Sequence, residues 1–130
     1  MSRRFIAIAV AVAACVAPAV AHAQEGELQI TSAELISDTV ASETVVVKGT
    51  GQCAAPGLVS LRVVVRDLET GGRGLGSATT ECVEPGERIL WSVQVVARDT
   101  RPGDRVLVTA SAAGAITAAD RKELVLQWQP

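Results

Sequence analysis

Tyrosine is missing from the 130-residue chain, phenylalanine occurs once and histidine once, at His22. Asparagine is absent as well, and only Lys48 and Lys122 supply lysine. With so few aromatics there is no material for an aromatic-lined cleft in which a carboxylate pair would be tuned for acid–base work. No apolar run is long enough to cross a bilayer. The longest follows Met1-Ser2-Arg3-Arg4, extends from Phe5 to Ala14 and is broken later by Pro18, whereas a spanning helix needs ~20 residues.

That start reads instead as a secretory signal, a basic segment and a short apolar core ahead of Ala21-His22-Ala23, with the mature chain expected from Gln24. A competing cleavage would use Val12-Ala13-Ala14-Cys15 as a lipoprotein box and leave lipidated Cys15 as the N-terminus. Residues 16 to 23 stay apolar where a polar tether is usual, which favours Gln24. Cleavage there removes His22, and with it the commonest general base and transition-metal ligand. It also removes Arg3 and Arg4, leaving ten basic against fourteen acidic residues, a net charge of −4. Nucleic acid is therefore not the expected partner. Abundant Ala, Val, Gly and Arg is the bias expected of a GC-rich bacterial genome.

Residues 24–130 suit one domain. Their apolar residues recur with a period of two, in short runs separated by Gly, Pro, Asp and Thr, which predicts an all-β sandwich of seven antiparallel strands. The runs lie near residues 28–36, 43–50, 58–67, 74–82, 88–97, 105–112 and 122–128. In the third, Val59, Leu61, Val63 and Val65 share one face; in the fifth, Ile89, Trp91, Val93 and Val95 do; Val106, Val108, Ala110 and Ala112 follow in the sixth. Leu124, Leu126 and Trp128 do so in the last. Turns are expected at Glu69-Thr70-Gly71-Gly72, Glu84-Pro85-Gly86-Glu87 and Arg101-Pro102-Gly103-Asp104. Between Ala110 and Ala119, Gly114 breaks the run and predicts a loop with one helical turn.

Cys53 and Cys82 are the cysteines left after export, and an even pair in an oxidising compartment predicts a disulfide. A hairpin turning near residues 70–72, with paired residue numbers summing to about 141, would bring Cys82 level with Val59 and so to the end where Cys53 lies. The closed loop spans 29 residues, and loop-closure entropy puts the bridge at roughly 3–4 kcal/mol. Without a CxxC spacing or a companion histidine, a structural role is expected.

Taken in order, Val45-Val46-Val47-Lys48-Gly49-Thr50-Gly51, Pro56-Gly57, Leu75-Gly76-Ser77-Ala78-Thr79, Trp91-Ser92-Val93 and Pro102-Gly103-Asp104 followed by Val106 to Ala112 resemble the bacterial immunoglobulin-like domains of secreted adhesins and envelope proteins. The likeness covers residues 43 to 126. It implies a seven-stranded sandwich used for spacing or binding and supplies no catalytic residue. Here the domain is expected to stand singly, and the cysteine pair is an addition to the family pattern.

Individual residues add little chemistry. Trp91 is expected as a core anchor, and Trp128 either to cap the open end of the core, the favoured reading, or to stay partly exposed. Glu81, Glu84 and Glu87 fall in or beside a turn and read as a solvated rim. Arg62, Arg66, Arg88 and Arg98 could form a basic stripe but read first as ordinary surface charge. Asp99, Asp104 and Asp120 are isolated, without the spaced oxygen ligands calcium requires. No catalytic residue, cofactor site or metal site is assigned. Val46, Val64, Leu90 and Val96 fall on nominally wet faces and form a candidate contact patch, its continuity depending on strand order. The expected function is that of an exported, non-catalytic module of the envelope or medium with a protein partner. The alternative is a carrier holding a small ligand in an apolar cleft at one end.

Overall fold

The computed structural model describes residues 26–38 and 42–129. The signal segment, Cys15 and His22 lie outside them. The described chain is all-β and sandwich-like, with strands β1 (Glu27–Asp38), β2 (Glu43–Gln52), β3 (Gly57–Asp67), β4 (Arg73–Cys82), β5 (Arg88–Ala97), β6 (Arg105–Gly114), β7 (Ala118–Val125) and β8 (Gln127–Trp128). There are eight strands where seven were expected, because the last run divides at Leu126, whose N–H and C=O turn aside to Asp104 O (2.8 Å) and Gly103 N (2.7 Å). The expected helical turn after Ala110 is not formed: β6 runs on to Gly114 and β7 begins at Ala118.

The strands join in the order β7-β6-β3-β4-β5-β2-β1-β8. One layer is β7-β6-β3-β4 and the other β5-β2-β1-β8. The layers are bridged by a short antiparallel contact in which Gly74 pairs with Ala97 and Leu75 with Val96. This contact depends on a glycine at every second position of the approaching strand. A Cβ on Gly74 would lie 2.6 Å from Val96 O and 2.7 Å from Ala97 Cα; one on Gly72 would overlap the carbonyls of Arg98 and Asp99, and one on Gly76 that of Gln94. With side chains there, β4 could not lie on β5.

At the opposite margin β1 and β7 are joined by side chains. The Ile30 N–H donates to Asp120 Oδ2 and the Ile30 carbonyl accepts from Lys122 Nζ, both at 2.8 Å. Two side chains thus satisfy the backbone groups of Ile30 that its β2 partner Gly49 does not bond. Thr31, immediately after Ile30, is an extra residue in the β1–β2 ladder, and the bulge shifts the inward positions from Leu28 and Ile30 to Ala33 and Leu35. β8 then completes the margin by pairing in parallel with Glu34 and Leu35.

Between the layers lies a valine-rich core. Val45, Val47, Val59, Val63, Val65, Val93, Val95, Val106 and Val108 are buried with Ile30, Leu35, Ile116 and Leu126. Trp91 is buried among them and donates its indole N–H to Thr50 O at 2.9 Å. Its space comes from the strand partner Gly49, where a Cβ would overlap the indole.

Cys53 and Cys82 are disulfide-bonded with Cα atoms 6.0 Å apart. The hairpin register differs from the expected one, since Cys82 is level with Gly57 and Val59 with Thr80. A tighter turn accounts for it: Asp67 N donates to Gly72 O and Gly71 N to Asp67 O, so the strands reverse at Leu68–Gly71. The partner moves by two residues, so every side chain keeps its face.

Two outcomes follow. Gly74→Ala forces a methyl group into the β4–β5 contact and should lower unfolding free energy by about 1–3 kcal/mol. Replacing both Cys53 and Cys82 by Ser should lower it by roughly 3–4 kcal/mol. Urea denaturation measures both.

Candidate functional site

Strand order decides which outward side chains meet. On the outer surface Val64 of β3 pairs with Leu75 of β4, and Leu75 pairs with Val96 of β5. All three are open to solvent, at 40%, 51% and 62% exposure. Directly paired strand residues have Cβ atoms ~5 Å apart, so they form one apolar row that crosses from one layer to the other. Leu75, which the sequence offered only as part of the family motif, was not among the expected patch residues because it lies between glycines in a segment of weak alternation; its partners identify it.

The other two residues of the expected patch lie elsewhere. Val46 is only 9% exposed. Its register partners Glu34 and Gln94 and its strand neighbour Lys48 flank it, and Glu34 and Lys48 form an ion pair at 3.3 Å; long polar side chains cover it. Leu90 is 84% exposed but pairs with Thr50. It stands six residues from Val96 along β5, on the order of 20 Å away.

The arginines are likewise rearranged. Arg66 pairs with Arg73, and Arg98 N donates to Arg73 O at 3.2 Å, continuing the β4–β5 ladder. Arg88 pairs with Gln52 at the other end of β5 and belongs to no stripe. Arg62 is flanked by Ser77 and Ser111 on the adjoining strands, in a groove of about 680 Å³ whose small side chains include Ser60 and Ala113.

Beside the disulfide a second groove, about 510 Å³, is lined by Gly26, Glu27, Gln52, Ala54, Pro85 and Gly86 with Cys53. Most of that lining is polar or backbone. Glu87 Oε1 accepts the N–H groups of Val83 (2.7 Å) and Glu84 (3.2 Å), closing the β4–β5 turn, and Glu81 and Glu84 are exposed. Trp128 shares the inward parity of Leu126 yet is 50% exposed at the end of β8.

At the end away from the disulfide, a buried carboxylate ties two loops together. Asp67 Oδ1 accepts from Glu69 N (2.8 Å) and Thr70 N (3.0 Å), and Oδ2 from Arg101 N (3.3 Å). Burial raises its pKa, but a hydrogen bond from Asp104 and those three backbone donors outweigh this and hold it below 3.8. Asp104 is raised above 3.8 by that same hydrogen bond to Asp67, with burial and the charges of Asp67 and Glu69 adding to it. Among the described residues no group of three or more His, Cys, Asp or Glu side chains is arranged to hold a metal.

No family model matches the chain, and no curated protein matches it. Among solved structures it is similar to part of a β-glucuronidase from glycoside hydrolase family 2, with TM-score 0.50 and 9% identity over 79% of this chain and 11% of that one. A glycosyl hydrolase family 2 member from Bacteroides cellulosilyticus DSM 14838 gives TM-score 0.47 and 10% identity over 79% of this chain and 15% of that one. The chain thus spans about a tenth of the β-glucuronidase, and at such identity the likeness is one of fold.

The aspartate pair generates a pH prediction. Asp67, with a lowered pKa, stabilises the fold above 3.8, and this contribution is lost as pH falls through its folded value. Asp104 has the opposite sign: its contribution is full below 3.8 and is lost as pH rises through its raised folded value. Asp104→Asn keeps a donor toward Asp67 without the charge, so the variant should melt higher than the parent at pH 7 and lose the acid-side advantage that Asp104 confers. Calorimetry from pH 3 to 8 checks this, and superimposable profiles would refute it.

Proposed function

We propose that the chain is an exported immunoglobulin-like sandwich module that works by association with another protein of the bacterial envelope or medium, without catalysis. The observation that carries this reading is the exposed apolar row Val64–Leu75–Val96. Apolar side chains that sit side by side across three strands on a wet face favour a protein contact over scattered surface valines. The motif order from Gly49 to Ala112 and the two-layer all-β architecture support the immunoglobulin-like assignment, and the disulfide supports export to an oxidising compartment.

The carrier reading needs an apolar cleft at one end of the sandwich. The groove beside Cys53–Cys82 has Glu27, Gln52 and backbone in its lining, which favours association over carriage.

The test is capture from the source organism's envelope and medium on the immobilised, oxidised chain. One stoichiometric protein should be recovered, and Leu75→Asp should reduce its recovery by about tenfold or more, since burial of a leucine is worth ~1.5–3 kcal/mol. Recovery of a lipid or chromophore alone, or recovery unaffected by Leu75→Asp, would overturn the proposal.

A further inference from the structure

We infer that this face takes an acidic, leucine- or valine-bearing extended segment of the partner, laid across the strands along the Val64–Leu75–Val96 row with its carboxylates on flanking arginines. The inference rests on the association reading above and specifies the chemistry of the partner. Two residues toward the strand ends from the apolar row, Arg66 of β3 and Arg73 of β4 pair with each other, and Arg98, the residue just after β5, is bonded through its N–H to Arg73 O beside them. Two residues the other way, Arg62 stands between Ser77 and Ser111. Arg121 extends the row itself, since it pairs with Thr109 and Thr109 with Val64.

Like charges placed directly opposite one another across strands are destabilising. The fold nevertheless aligns three arginines, and no ion pair among the described residues supplies them with counter-ions. Among the described residues the ion pairs are Lys48–Glu34 and Arg105–Glu123, and neither uses these arginines. Neighbouring acids are committed to the backbone: Glu69 accepts from Arg105 N at 2.7 Å, Glu43 from Thr100 N at 2.8 Å, and Asp67 from three N–H groups. Asp99, next in the chain to Arg98, is exposed in its turn. A cationic band thus stands on a chain with more acidic than basic residues, and its complement is an anion supplied from outside.

Shape selects the kind of anion. Successive rows on one face are ~7 Å apart, and crossing three strands covers ~10 Å, so a short extended segment spans the row while glutamates on either side reach arginines of both flanking rows. Beside Arg62 the small side chains of Ser60, Ser77, Ser111 and Ala113 leave a groove for a peptide side chain. The outward side chains of β3, β4 and β6 include no aromatic residue on which a sugar ring or a base would stack.

Fluorescence anisotropy with a fluorescein-labelled ten-residue peptide alternating glutamate and leucine tests this on the oxidised chain. Binding is expected to weaken by about tenfold or more in the double variant Arg66→Gln/Arg73→Gln and in 0.5 M salt, and to persist in Arg88→Gln. A lysine-for-glutamate peptide should not bind. These arginines are exposed, and circular dichroism of each variant keeps folding separate from binding. Absence of binding, binding indifferent to the double variant, or equally arginine-dependent binding of polygalacturonate would each overturn the inference. Should Leu75-dependent capture of a protein persist in the double variant, the association reading stands and this inference falls; should the peptide bind while nothing is captured, the reverse holds.

Discussion

The close approach of β4 to β5 governs what the outside of this molecule looks like. Gly74 and Gly76 occupy inward positions of β4 where it lies on the carbonyls of β5, Gly72 does the same just ahead of β4 against the turn after β5, and the lack of side chains there lets two ladder pairs form between layers that otherwise separate. A β-sandwich ordinarily presents two outer faces divided by its edges. Here the surface runs unbroken over one margin, so residues far apart in sequence, Val64, Leu75 and Val96, become immediate neighbours, as do Arg66, Arg73 and Arg98. The apolar row and the arginine row have the same cause.

The remaining constraints hold that margin in place. A core in which valine is the commonest residue has little reach per side chain, and it fills because the facing layers are close and because Gly49 yields space to the buried indole of Trp91. The disulfide fastens the disulfide end of the β3–β4 hairpin, Asp67 the turn at its other end. Opposite, Asp120 and Lys122 bond the Ile30 backbone groups that face away from its β2 partner Gly49. Each device uses side chains or a covalent bond where backbone ladders stop.

Period-two alternation made β3, β5 and β6 legible in the sequence, down to which side chains face inward, and the even cysteine pair made the bridge legible. What alternation cannot carry is adjacency between strands distant in sequence. Val64 and Val96 could be marked as outward but not joined, and Leu75, which joins them, was hidden in a glycine-rich run of little hydrophobic character. Val46 was misjudged because its cover comes from Glu34 and Gln94 on two other strands. The bulge at Thr31 breaks the alternation of β1 by one residue, a displacement visible only once Leu28, Ile30, Ala33 and Leu35 are known to share a core. The Asp67–Asp104 pair brings together two turns 37 positions apart, and no local pattern announces it.

The continuous outer face requires that Leu75 touch both of its neighbours, one in each layer. Methyl-resolved NOE spectroscopy of the oxidised chain tests it most directly. Cross-peaks are expected from Leu75 to Val64 and from Leu75 to Val96. Contact with Val64 alone would mean that the layers part at β4, and the continuous outer face would not exist.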